Sequence, residues 1–314
     1  MTKVGQVFHP QYLKHDTGPL HPERADRLRA ILEKLKSRSL ESQLIEVPVR
    51  EASEREVTWI HSEDYFKNLA KTAEKPSRYL DPDTPVSGES FEAALLATGG
   101  VLEATLRVAE GDLDTAFALV RPPGHHAEAD HAMGFCLINN VAVAAEFLQK
   151  KLKYQKIAIV DFDVHHGNGT QHSFYDREDI FYASLHRYPF YPGTGSADEK
   201  GKGAGLGYTL NLPLSQGAGD EIYLKVFEQK LLPTLREYSP DFLLVSAGFD
   251  AHRQDPLGGM RVTEEGFAKM TQALQNLAQD FCGGKTLYVL EGGYDLEGLS
   301  TSVCRVLEVL LEKK

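Results

Sequence analysis

In Val160 to Thr170, VDFDVHHGNGT, carboxylates alternate with imidazoles, and in Val120 to Asn140, VRPPGHHAEADHAMGFCLINN, a second histidine doublet lies in a turn rich in proline and glycine. Asp163 and His165 are spaced i, i+2. At a strand end that spacing points both side chains to one side, where a carboxylate oxygen and an imidazole nitrogen converge on one ion. Asp250, in SAGFDAH, ends another apolar run and can supply a third ligand. Two aspartates and one histidine leave positions open for water and substrate, as a catalytic divalent site requires. Zinc suits this set, and mixed oxygen and nitrogen ligation also admits Fe(II) or Co(II).

A metal-activated water needs a base to take its proton and an acid to protonate the leaving amine, and imidazole titrates in the right range. His125 and His126 follow RPPG, whose prolines and glycine set a tight loop. Asp161 and Asn168 could orient the pair. An ionised Asp161 would favour imidazolium in its histidine, whereas neutral Asn168 would fix a tautomer without adding charge, so the two histidines need not play equal roles. Tyr294, after two glycines in LEGGYD, can donate to a carbonyl oxygen as it becomes an oxyanion. Metal, base and oxyanion donor together imply hydrolysis of an amide or ester.

The elements that must position these groups are short β-branched runs: Thr115 to Val120, Lys156 to Phe162, Asp179 to Leu185, Tyr208 to Leu212, Asp241 to Ala247 and Thr286 to Glu291. They read as buried parallel strands. Helical patterns alternate with them at Asn139 to Leu152, Asp220 to Tyr238 and Thr263 to Phe281, and two further helices are expected in residues 21–38 and 90–111. This alternation predicts one α/β domain over residues 1–314, a mostly parallel sheet flanked by helices on both faces. Ligands bind such sheets beyond the carboxyl ends of the strands. RPPGHH, DVHHGNG, HRYPFYPGTG, GFDAHRQDP and GGYD each follow a strand, so five unusual loops should emerge from one edge.

Composition agrees with a soluble enzyme: 42% hydrophobic, 25% charged, and no run that approaches the ~18 apolar residues of a membrane span. The N-terminal residues lack the basic start and apolar stretch of a signal peptide, which predicts a cytoplasmic protein. Cys136, Cys282 and Cys304 are odd in number and lack CxxC spacing, which argues against a disulfide framework or a thiolate zinc site. A formal charge of −11 disfavours nucleic acid as a partner and is compatible with basic or amine-bearing ones.

The segments RPPGHHAEADHAMGFCLINNVAVAA, VDFDVHHGNGTQHSFY, SLHRYPFYPGTG, VSAGFDAHRQDPLGGM and LEGGYD resemble the zinc-dependent histone deacetylase family. The resemblance is to its class II branch, with the bacterial histone deacetylase-like amidohydrolases and acetoin-utilisation proteins. It runs from HPERADR to the C-terminal helix and implies the arginase/deacetylase fold. It also implies zinc on Asp163, His165 and Asp250, His126 as general base and then acid, and His125, paired to Asp161, supporting the transition state. Tyr294 matches the carbonyl-polarising tyrosine. Gly134 and Phe135, with Tyr191, match the aromatic-walled acyl-lysine tunnel; Leu257 and Asp83 match its rim, and Arg24 an arginine near an internal channel. Structural potassium is implied around Asp161, Asp163, His165, Ser184 and Leu185, and at a second site around Phe174, Arg177, Ile180 and Tyr208. Arginase-like relatives carry further aspartates two residues beyond the ligating His and Asp; Gly167 and His252 stand there, which supports one metal rather than two.

The leading expectation is therefore zinc-dependent hydrolysis of an N-ε-acyl-lysine amide in a peptide or protein. A small-molecule alternative is an acetylated polyamine, although Leu257 offers no carboxylate at the tunnel mouth to grip a cationic chain. A catalytically silent acyl-lysine-binding scaffold is the third reading, opposed by the complete set of reactive residues.

Overall fold

The computed structural model describes residues 2–74 and 78–312. Its strands are β1 (Val4–Val7), β2 (Ile45–Glu46), β3 (Arg78–Asp81), β4 (Thr84–Val86), β5 (Thr115–Ala118), β6 (Ile157–Asp161), β7 (Ile180–Arg187), β8 (Thr209–Leu214), β9 (Phe242–Ala247) and β10 (Thr286–Leu290). Eight of them form one sheet in the order β2-β1-β5-β10-β9-β6-β7-β8. Every pair in it is parallel, while β3 and β4 make a separate antiparallel hairpin. The six strands expected from β-branched runs are all present. β1, β2 and the hairpin add to them.

Each residue of β5, β6, β9 and β10 is buried, because helices cover both faces of the sheet and leave no alternation of polar and apolar positions. Helices Asp26–Ser37 and Glu264–Phe281 each pack on Leu296–Leu311, and Ser90–Ala109 packs on Asn140–Lys150. In the first of these, Leu28, Ile31 and Leu35 form the buried stripe, with Arg27 on the same face. Side-chain caps at Asn139, Thr263 and Asp295 accept amide hydrogens from Ala142, Gly266 and Gly298, and so mark where three helices begin.

The helix expected over Asp220 to Tyr238 is interrupted. An α-helix at Asp220–Val226 passes through a π turn at Phe227–Leu231 into a second α-helix at Leu232–Tyr238. Pro233, which has no amide hydrogen and crowds the preceding turn, accounts for the change of winding.

His61 ties the fold to the loop that follows β5. Its Nε2 accepts from the Asn139 amide at 2.9 Å and its Nδ1 donates to the Glu128 carbonyl at 2.8 Å. Only a neutral ring makes both bonds. Burial lowers its pKa to about 4 against the weaker opposing pull of the Glu128 carbonyl. Between its ordinary value near 6.5 and about 4, the unfolded chain takes up a proton that the folded chain refuses, so stability falls as pH drops through that window. His61→Ala should cost roughly 1–3 kcal/mol at pH 7 by stranding an amide and a carbonyl. It should also flatten the stability difference between pH 7 and pH 5, as read by denaturant unfolding at each pH.

Candidate active site

Strands β5, β10, β9, β6 and β7 are consecutive neighbours, so the loops leaving their carboxyl ends share one edge, as the five loop motifs led us to expect. Register sharpens the placement. Asp161 lies level with Ser246 and Ser184, and Leu290 with Ala247. The residues just beyond these positions therefore meet.

Asp163, His165 and Asp250 bring their ligating atoms within 4.8 Å of one another. His165 Nδ1 lies 3.0 Å from Asp250 Oδ2 and 3.2 Å from Asp163 Oδ1. Backbone amides aim the carboxylates: Gly292 N–H donates to Asp163 Oδ2 and Val164 N–H to Asp250 Oδ1, each at 2.8 Å. Burial opposes charge on all three side chains. Even so, Asp163 stays well below the usual carboxylate range beside His125 and His165, and His165 is raised to about 10 by the two aspartates. Asp250, buried and next to Asp163, is pushed up to about 7. A concentrated anionic centre with an imidazole nitrogen aimed into it fits a divalent cation. Two glycines make room: a Cβ on Gly292 would lie 2.2 Å from Asp250 Oδ2, and one on Gly248 2.0 Å from Asp163 Oδ2.

The histidines that follow RPPG differ as their partners predict. His125 Nδ1 lies 3.0 Å from Asp161 Oδ2, and His126 Nδ1 lies 2.7 Å from Asn168 Oδ1. Burial works against an imidazolium at His125, but Asp161 and Asp163 outweigh it and raise the pKa to about 10. Burial, together with the charges of His125 and His165, pushes His126 well below 6.5. A charged ring and a neutral ring thus stand with centroids 4.0 Å apart. His166, the second member of the other doublet, turns away to Thr194 and Gln171.

His125, Cys136 and Glu291 also cluster tightly, but each already has a partner within the protein, His125 through its Nδ1 to Asp161. Glu291 accepts from the Gly124 and His125 amides at 2.7 and 3.1 Å and so anchors the doublet's loop to β10. Cys136 Sγ contacts the Gly134 carbonyl. A second metal ligand beyond His165 has no space, because a Cβ at Gly167 would lie 2.4 Å from Asp161 Oδ2. His252 is drawn off toward Glu264.

Tyr294 is partly buried, and its hydroxyl stays protonated: burial, then Asp250 and Asp163, push its pKa well above 10. Its backbone is set by Asp255, which accepts the Tyr294 amide at 2.7 Å with one oxygen and the Leu257 amide at 2.8 Å with the other. Phe135 meets Tyr294 edge-on at 5.8 Å, and Tyr191 meets His126 edge-on at 5.2 Å. Gly134, at φ +55°, passes so near His126 that a Cβ would lie 2.4 Å from the ring. Leu257 is 37% exposed. Asp83 sits in the β3–β4 turn, where its carboxylate accepts from Thr84 and its carbonyl faces His21.

Two arginines of HPERADR, Arg24 and Arg27, are placed differently by the structure. Arg24 precedes the first α-helix, is half-buried and pairs with Asp26. The arginine turned toward Tyr294 is Arg27, fully buried, with its guanidinium 5.2 Å from that ring and donating to the Gly293 and Glu291 carbonyls and to Glu23. Its place on the apolar stripe of the helix was the available signal. Asp255, Glu291 and Glu128 also escaped the sequence reading, since acidic residues in loops carry no periodicity.

Of the residues expected around potassium, Asp161 closes β6 level with Ser184 of β7, Leu185 follows within β7, and Asp163 and His165 lie just beyond β6. In the second set, the Phe174 and Tyr208 carbonyls accept the Arg177 and Tyr182 amides, Ile180 opens β7, and the Arg177 side chain turns to Glu146, Gln149 and Asp179.

An eight-stranded parallel sheet with this constellation at its carboxyl edge defines a hydrolase of the arginase/deacetylase fold. The chain belongs to the histone deacetylase family, whose members hydrolyse amides: residues 21–310 match the histone deacetylase domain. A "Probable deacetylase" of Archaeoglobus fulgidus is 40% identical over 94% of this chain and 82% of its own length. "Histone deacetylase 15" of Arabidopsis thaliana is 45% identical over 93% of this chain, and "Polyamine deacetylase HDAC10" of Homo sapiens 42% over 92%. The chain spans about half the length of these last two, 53% and 44%. The crystal structure of the HDA15 HD domain superposes with a TM-score of 0.95 at 43% identity, covering 99% of this chain and 88% of that one.

Gly292→Ala should leave the fold intact while displacing both aspartates, weakening retention of a divalent metal by about tenfold or more. Metal content after dialysis against graded chelator, alongside circular dichroism, measures this.

Proposed function

We propose that this protein is a zinc-dependent deacylase that cleaves the amide of an N-ε-acyl-lysine in a peptide or protein. One observation carries the reading: two adjacent imidazoles, His125 held by Asp161 and His126 held by Asn168, stand beside three side chains whose ligating atoms converge. Asp163, His165 and Asp250 would hold the zinc ion, which supplies Lewis acidity that lowers the pKa of water and polarises the acyl carbonyl. His126, with Nδ1 tied to Asn168, presents Nε2 to take the proton of the attacking water and pass it to the departing amine. The His125 imidazolium, held by Asp161, adds positive charge where the oxyanion develops, and the Tyr294 hydroxyl donates a hydrogen bond to that oxygen.

Phe135 and Tyr191 would wall the passage that admits a thin acyl-lysine, with Gly134, Leu257 and Asp83 at its margin. A potassium ion beside Asp161 and Ser184 suits the local charge. Asp161, Asp163, Asp250 and Glu291 carry up to four negative charges, whereas a divalent ion and the His125 imidazolium supply three positive ones. A second reading, hydrolysis of a small acetylated polyamine, is favoured by similarity to the human protein named as a polyamine deacetylase. Nothing indicates a nucleic acid partner, and among the described residues no helix is long and apolar enough to cross a membrane.

On an acetyl-lysine peptide, Tyr294→Phe should lower kcat roughly 10²–10³-fold and His126→Ala roughly 10²–10⁴-fold, with metal content unchanged. Full turnover in either variant removes that residue from the chemistry. Side-by-side kcat/KM on the peptide and on acetylspermidine decides between the two substrate readings.

A further inference from the structure

An asparagine can offer either end of its amide to a neighbouring imidazole, and the imidazole's tautomer follows from that choice. Around Asn168 the surroundings decide. Its Nδ2 faces the Glu128 carboxylate at 2.5 Å and the His126 carbonyl at 3.2 Å, with Met133 Sδ at 3.3 Å. The carboxylate and the carbonyl accept hydrogen bonds and cannot donate them, so both amide hydrogens are taken and Oδ1 is left for His126 Nδ1. An amide oxygen cannot donate. The ring hydrogen must therefore sit on Nδ1, and Nε2 keeps its lone pair.

Glu128 is held in turn. The Oε1 that faces Asn168 also receives His172 Nδ1 at 2.8 Å, and His172, with a side chain 48% exposed, opens to solvent. A surface groove of about 240 Å³ lined by Trp59, Ile60 and His172 reaches the carboxylate from outside. Burial pushes its pKa up, but hydrogen bonds from His172 and Asn168 outweigh this and hold it below the usual carboxylate range.

We propose that Glu128 is a positioning residue, which fixes the orientation of the Asn168 amide and through it the Nδ1–H tautomer of His126. This rests on the reading of His126 as the proton carrier. Glu128 touches no reacting atom; it acts through one intervening side chain.

The test reverses the polarity of position 128. In Glu128→Lys the new side chain can only donate, so Asn168 should turn its oxygen to the ammonium and its nitrogen to His126, moving the ring hydrogen to Nε2. Adding Asn168→Asp should undo this, since a carboxylate accepts from the ammonium with one oxygen and from His126 Nδ1–H with the other. Nitrogen-15 imidazole NMR of the zinc-loaded protein reads the tautomer directly. We expect Nδ1–H in the parent, Nε2–H in the single variant and Nδ1–H again in the double variant.

On acetyl-lysine peptide kcat should fall about a hundredfold in the single variant with KM little changed, and recover to within about tenfold in the double variant. If Glu128→Lys does not fold, Glu128→Leu removes the acceptor without adding charge and should populate both tautomers. Retention of Nδ1–H in the substituted proteins, or failure of the double variant to restore it, overturns the proposal. A parent protein without amidase activity whose tautomer still switches overturns the functional reading alone.

Discussion

Four carboxylates, Asp161, Asp163, Asp250 and Glu291, lie wholly buried at one edge of one sheet, and the surrounding structure answers to that concentration of negative charge. Unpaired, such groups would be strongly disfavoured in the interior. Each is met by backbone amides, by an imidazole or by both: Asp161 by the Asp163 amide and His125, Asp250 by the Val164 amide and His165. Compensation and reactivity therefore have one origin. The amides that stabilise the carboxylates also aim them, and the same field holds a proton on His125 beside the convergent groups.

The same field makes a second, neutral histidine dependent on its partner. His126 stands beside the His125 imidazolium, and a carboxylate at position 168 with no cation next to it would draw a further proton onto the ring. An amide oxygen orients the ring without that pull. Chemical difference between adjacent, identical side chains thus comes from what stands behind each. On the outer side, Asp255 joins the loop of Tyr294 to that of Leu257, so the backbone of both is set by one carboxylate.

Much of this was legible in the sequence because it follows simple spacing. Continuous apolar runs marked the central strands, and an i, i+2 pair at a strand end marked two of the three side chains that converge. What stayed hidden depended on phase or on distant partners. Arg24 and Arg27 are three residues apart in HPERADR, and only the apolar stripe of Leu28, Ile31 and Leu35 shows that the second faces inward. β1 has four residues including Gly5 and β2 has two, too short for any periodicity to stand out. Glu128 and Asp255 act on amides 40 and 39 residues away, a relation no local pattern encodes.

The last strand among the described residues, β10, lies in the interior of the sheet, between β5 and β9. Until residues 286–290 emerge from the ribosome, the sheet can exist only as two unjoined halves, β2-β1-β5 and β9-β6-β7-β8, each with an open edge. Open parallel edges invite pairing with other chains. A product cut short before β10 should therefore aggregate rather than persist as a weakened enzyme, and vectorial synthesis leaves the nascent polypeptide in need of shielding until β10 is made.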